Sequence, residues 1–243
     1  MQNILIDVLD SIFLKETKAG KYFLKFDVSL VCVKPEESGR YKSIILTKDK
    51  NSVKRVFPDI IKTRQHTIKN YLEHFEENYY ISDDEIETYH LKSDHEGLMS
   101  LFINKIQINS KKVIVPATIC IVDEKIDKNF ENISFSGLAV FFHEMGHVWL
   151  QKKYIESLLK SKEVSGISHT TLKKFLLQKE LEITNCHTER EAWFWGLLFL
   201  KDAFKLKSFS NKYKKTQTEL INTFLDVCRR SLNEYYVSAA CFF

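Results

Sequence analysis

Three ionisable residues stand inside the most apolar helical stretch of the chain, and any fold must accommodate them. His143, Glu144 and His147 lie between Phe135-Ser136-Gly137-Leu138-Ala139-Val140-Phe141-Phe142 and Val148-Trp149-Leu150. The pattern over Ser134–Lys160 predicts one long helix, largely buried. Polar side chains in such a place are costly unless something satisfies them. His143 and His147 are at i and i+4, so they leave one helix face about 6 Å apart at Cβ. Two imidazoles so spaced can grip one ion, Zn2+ being the expected one, at ~2.1 Å each. Glu144 sits beside that ion without having to ligate it. There it can take a proton from a zinc-activated water and hand it to a leaving amine. Metal-assisted hydrolysis needs His, Glu and His in this register. The plain alternative leaves His143 and Glu144 exposed, with His147 in a core hydrogen bond.

A catalytic zinc site needs a third protein ligand and one open position. Downstream lies Asn185-Cys186-His187-Thr188-Glu189-Arg190-Glu191-Ala192-Trp193-Phe194-Trp195-Gly196. Glu189 and Glu191 are the candidates, since an acid in so aromatic a helix is expensive if unpaired. Glu189, Ala192 and Gly196 share one helix stripe. Small residues there, with Gly146 opposite, would let the two helices approach closely. Thr188-x-x-Glu191 also matches a capping box, which would give Glu191 a backbone role. Both points favour Glu189.

The pair HEMGH and EREAWFW resembles the gluzincin metallopeptidases, in which a second helix supplies a glutamate to the metal. The ExxA shape of Glu189-Arg190-Glu191-Ala192 is most similar to the ImmA/IrrE-type metallopeptidases. The resemblance covers about residues 134–200. It implies His143, His147 and Glu189 as zinc ligands, Glu144 as catalytic base, and a protein substrate, often a repressor. The chain departs from that pattern at Trp193, where a small polar residue is expected, and in its long spacing from His147 to Glu189.

The rest of the chain predicts an α+β fold. An N-terminal antiparallel β meander precedes a mainly helical, zincin-like C-terminal half. Phe23–Val33 and Tyr41–Thr47 are rich in β-branched and aromatic residues, and residues 1–50 as a whole look strand-forming. With 7 Gly and 3 Pro among 243 residues, most of the chain should be regular structure. Pro58–Tyr79 predicts an amphipathic helix, Leu98–Ile108 a short one, and Val113–Val122 a strand whose Pro116 suits an edge or a bulge. Helices follow at Thr170–Ile183, Thr188–Lys205 and Thr216–Tyr236. The organisation is a β-rich region over 1–57 and a metallopeptidase domain over 58–243, or one continuous domain.

Net charge is +4, too small an excess to point to nucleic acid. No apolar run is long enough to span a bilayer. Five cysteines without a CxxC pair fit free thiols in a reducing, cytoplasmic setting. Asp94-His95-Glu96-Gly97 could line a cleft or bind a second metal but predicts a surface loop first, His187 a surface or capping side chain or a group orienting a ligand, and Cys186 a core residue. Nothing selects an oxyanion-stabilising tyrosine, Tyr235 and Tyr236 included. Val113–Val122 is either an edge strand that could receive an extended substrate or, equally, an ordinary buried strand. Two functions follow: a zinc peptidase acting on a protein or peptide, or a regulatory protein with a structural or vestigial zinc site. Intact Glu144 favours the first, because a structural site has no use for it.

Overall fold

A computed structural model describes residues 4–35, 41–46, 79–80, 87–89, 97–101, 106–109, 111–125, 132–161 and 186–240. The fold is α+β. Helix α1 (Ile4–Phe13) is followed by β1 (Thr17–Ala19), β2 (Tyr22–Pro35), β3 (Tyr41–Leu46), β4 (Tyr79–Tyr80) and β5 (Glu87–Tyr89). Then come β6 (Gly97–Leu101), β7 (Gln107–Ile108) and β8 (Lys112–Val122). Helices α2 (Phe135–Lys160), α3 (Cys186–Ala203), α4 (Lys207–Tyr213) and α5 (Gln217–Ala240) complete the described chain, with a 3-10 turn at Lys214–Thr216.

The strands make one mixed sheet in the order β4-β5-β3-β2-β8-β6, with β1 on β2 and β7 on β8. The meander of β1, β2 and β3 is antiparallel, as the sequence predicts. Its two-residue turn places Gly20 at φ 60, where a side chain would be strained. A Cβ there would also run into the Leu159 carbonyl of α2. β2 and β8 pair in parallel over their whole shared length, from Phe23↔Lys112 to Val33↔Val122. That ladder joins chain from both sides of residue 57.

Alternation along these two strands sets the core. Leu24, Phe26, Val28 and Leu30 lie beside Val113, Val115, Ala117 and Ile119 in register, and all eight are buried. α2 packs on β8, β6 and β1, and α3 and α5 pack on α2. Between sheet and helices, α2 is buried at every position from Gly137 to Gly146, as a helix apolar all round must be. Aromatic edges tie the layers. Phe13 of α1 meets Trp149 and Phe199, and Phe142 meets Phe209 of α4.

Four expectations need correction. Ile4–Phe13 is a helix, not strand; Leu5, Val8, Leu9 and Phe13 fall on one buried face at helical spacing. Leu98–Ile108 contains most of β6 and all of β7 instead of a helix, because Gly97–Leu101 completes the ladder on β8. β8 is no edge strand: β2 flanks one side, β6 and β7 the other. Pro116 is accommodated where the second ladder changes partner, between Ile114 (on Gln107) and Ala117 (on Leu101). An interior strand cannot take an added substrate strand. The fourth is the capping box: α3 already runs from Cys186, so Thr188 lies inside the helix, not at its cap. The helices expected at 58–79 and 170–183 lie outside the described residues, apart from Tyr79, which is in β4.

Candidate metal centre

The start of α2 is anchored to the end of β8 by one buried carboxylate. Asp123, 4% exposed, accepts from the Ser134 N–H at 3.0 Å, the Ser134 hydroxyl and the Lys125 N–H. Ser134 in turn caps the helix, its oxygen accepting from the Gly137 N–H at 2.9 Å. A Cβ at Gly137 would strike the Asp123 carboxylate. Tyr213 lies on this junction, edge-on to Phe135; burial, then the Asp123 charge, pushes its phenol up to about 12. Asp123 is not among the residues expected from the sequence; its signal there is an acid closing the apolar run Val113–Val122.

Two turns into α2 the polar residues appear, and they are buried: His143 is 7% exposed and Glu144 6%. The alternative in which both face solvent is therefore excluded. α3 lies against this part of α2 at the distance its small residues permit. A Cβ on Gly146 would lie 2.8 Å from the Ala192 carbonyl carbon, and one on Gly196 2.8 Å from the Phe142 carbonyl oxygen. The close approach expected of the Glu189–Ala192–Gly196 stripe is thus present, and it carries Glu189 to the histidines.

The three side chains converge on one point. His143 Nε2 and His147 Nε2 are 3.1 Å apart, Glu189 Oε2 is 3.2 Å from the first, and Glu189 Oε1 is 3.3 Å from the second. Glu189 Oε2 is buried yet takes part in no hydrogen bond among the described residues. It lies near the imidazole without being aimed at it, as donors facing a shared centre do. Bonds of ~2.1 Å at tetrahedral angles separate neighbouring donors by about 3.3–3.4 Å. The spacings fit, and these are the described residues able to hold a metal ion.

Electrostatics describe a site short of positive charge. Burial, then the neighbouring His147, lowers His143 to about 4 despite Glu189, so it is a neutral nitrogen donor. For Glu189 burial acts upward, but the close imidazoles of His143 and His147 prevail and hold it well below the usual carboxylate range. Burial also lowers His147, but the Glu189 bond and the Glu144 and Glu189 charges outweigh it, and the net direction is up. Burial raises Glu144 to about 7; His147 opposes this and the Glu189 charge adds to it. A divalent cation at the convergence point would offset both costs carried by the two carboxylates.

Trp193, one turn beyond Glu189, stacks on the His143 ring, with centroids 4.0 Å apart and planes 19° from parallel. In the sequence Trp193 stands out only as a departure from the family pattern, and its i+4 spacing from Glu189 is the signal that places it here. Glu191 is half-buried and not part of the converging group. Asp94, His95 and Glu96, and the side chains of Cys186, His187, Tyr235 and Tyr236, lie outside the described residues.

Replacing Gly146 by alanine tests the helix contact. Alanine stabilises an ordinary helix interior by roughly 0.5–1 kcal/mol relative to glycine. Here the added methyl meets backbone, so a loss of about 1–3 kcal/mol is expected instead, with weaker metal retention as Glu189 is pushed away. Chemical denaturation and metal analysis check both; a stabilised variant would disprove the close contact.

Among the described residues no helix is long and apolar enough to cross a membrane. The chain matches no protein-family model, no curated protein and no solved structure.

Proposed function

We propose that this chain is a zinc-dependent metallopeptidase, a hydrolase of the gluzincin kind nearest the ImmA/IrrE type, cleaving peptide bonds in a protein or peptide substrate. The observation that carries this is a buried, unligating Glu144 beside the His143–His147–Glu189 convergence. His143, His147 and Glu189 would hold the ion. A bound zinc would supply Lewis-acid polarisation of a carbonyl and activation of a water.

The remaining chemistry belongs to the chain. Glu144, raised to about 7 by burial, has the poise of a general base near neutral pH. Its carboxylate accepts a proton from the attacking water and returns it to the departing amine nitrogen, so the proton balance closes within one side chain. A cytoplasmic setting accompanies the proposal, on the strength of the cysteine pattern.

Elemental analysis of protein purified without chelator tests the metal. About one zinc per chain is expected. With free zinc at about a hundred times its Kd, linkage adds about 2.7 kcal/mol, or roughly 5–10 °C in Tm at this chain length. Chelation should reverse that shift. Protein that takes up no metal, or whose melting ignores zinc, would rule the proposal out. Iron in place of zinc would redirect the same ligand set towards oxygen chemistry.

A further inference from the structure

A histidine that binds a metal ordinarily donates its other ring N–H to a carboxylate, a carbonyl or a water, and that bond fixes the plane of the ring. His143 has no such anchor: its Nδ1 is buried and without a hydrogen-bond partner among the described residues. The torsion that turns an imidazole about Cβ–Cγ is broad and roughly two-fold. An unpinned ring can therefore swing Nε2 away from the point it shares with His147 and Glu189.

The ring is instead held by its face. Trp193 lies against it at 4.0 Å, nearly parallel. Trp193 is 3% exposed and is itself wedged edge-on by Phe224 of α5, at 5.2 Å. Glu189 and Trp193 are one turn apart on α3, so one helix delivers both the carboxylate donor and the aromatic plate. The backbone contact at Gly146 and Gly196 fixes how near that plate comes.

We propose that Trp193 is a positioning residue for the metal ligand His143. Its indole fixes the imidazole plane, the task that a hydrogen bond to Nδ1 performs elsewhere. It does so without an acceptor, so it orients the ligand without raising its basicity as a carboxylate partner would. The inference rests on the metal-site reading above.

The test compares wild type, Trp193→Phe and Trp193→Leu as full chains. Zn2+ affinity is measured by competition with a chromophoric chelator, and coordination by the visible absorption of Co2+ in the site. The leucine variant, which fills space without a flat face, should bind Zn2+ about 10–100-fold more weakly, the usual loss for an outer partner, and show altered Co2+ bands. The phenylalanine variant should restore most of both. Leucine binding as tightly as wild type with an unchanged Co2+ spectrum would make Trp193 a core filler and overturn the inference alone. Wild type that binds neither ion would overturn the metal reading and the inference together. Should the leucine variant not fold, proton NMR of the wild type decides. The His143 ring protons should carry the indole's upfield ring-current shift both before and after Zn2+ is added. Loss of that shift on loading overturns the inference.

Discussion

Glu144→Gln should leave the metal bound and the fold intact while turnover of any peptide substrate falls by about 10²–10⁴-fold, the range that a positioned general base contributes. Glutamine keeps the volume and one carbonyl oxygen, but its amide accepts no proton at neutral pH. Packing should survive, because the replacement is nearly isosteric within α2's buried stretch. Burial raises the Glu144 carboxyl to about 7, with the Glu189 charge adding to it. A neutral amide avoids that cost, so the variant is expected to be at least as stable as wild type. Loss of activity with undiminished stability and undiminished zinc is a combination that a purely structural site cannot produce. Zinc content, Tm and peptide turnover, measured on the same preparation, give the answer. Residual turnover close to wild type would mean that another group accepts the proton, or that the reaction is of another kind.

The centre of this fold was legible because its signals are local. His143, Glu144 and His147 sit at fixed spacings on one helix, and the apolar residues around them already imply burial. Ser134 marks the helix start by its own chemistry, and α2 begins one residue later. The contact between α2 and α3 was legible for a less local reason: Gly146, Ala192 and Gly196 have almost no side chain, so their helices can meet backbone to backbone. Non-local pairing is where the reading failed. Nothing within Gly97–Leu101 or Val113–Val122 says that one will lie beside the other, or that β2 will cover the far side of β8. Pro116 suggested an edge because proline lacks a donor, but an interior strand tolerates it where the neighbouring ladder is handed from β7 to β6. Ile4–Phe13 was misread because β-branched and large apolar residues suit a strand as readily as a buried helix face. The Trp193 stack was legible only in part: its i+4 spacing from Glu189 puts the ring near the site, but aromatic content forecasts burial, not the partner against which the ring will lie.

Glu189→Ala and Glu191→Ala, made side by side, should behave in opposite ways. The two acids are two positions apart, so on α3 they face nearly opposite directions. Glu189 turns to the histidines, with an oxygen 3.2 Å from His143 Nε2 and the other 3.3 Å from His147 Nε2. Its removal takes away one of three donors, and two imidazoles alone hold zinc poorly. The loss of affinity should exceed the about 10–100-fold typical of an outer partner. The metal-free protein should suffer as well, by about 1–3 kcal/mol, because the buried imidazoles lose the carboxylate beside them. Glu191 has neither role. α3 runs through Thr188, so the cap that would have made Glu191 worth about 1 kcal/mol is not formed. Its replacement should cost less stability than that of Glu189 and retain zinc. Dialysis against a weak chelator followed by metal analysis separates the two. A Glu191→Ala protein that loses its zinc while Glu189→Ala keeps it would put α3 about half a turn out of register. The stripe of Glu189, Ala192 and Gly196 would then no longer explain how the site is built.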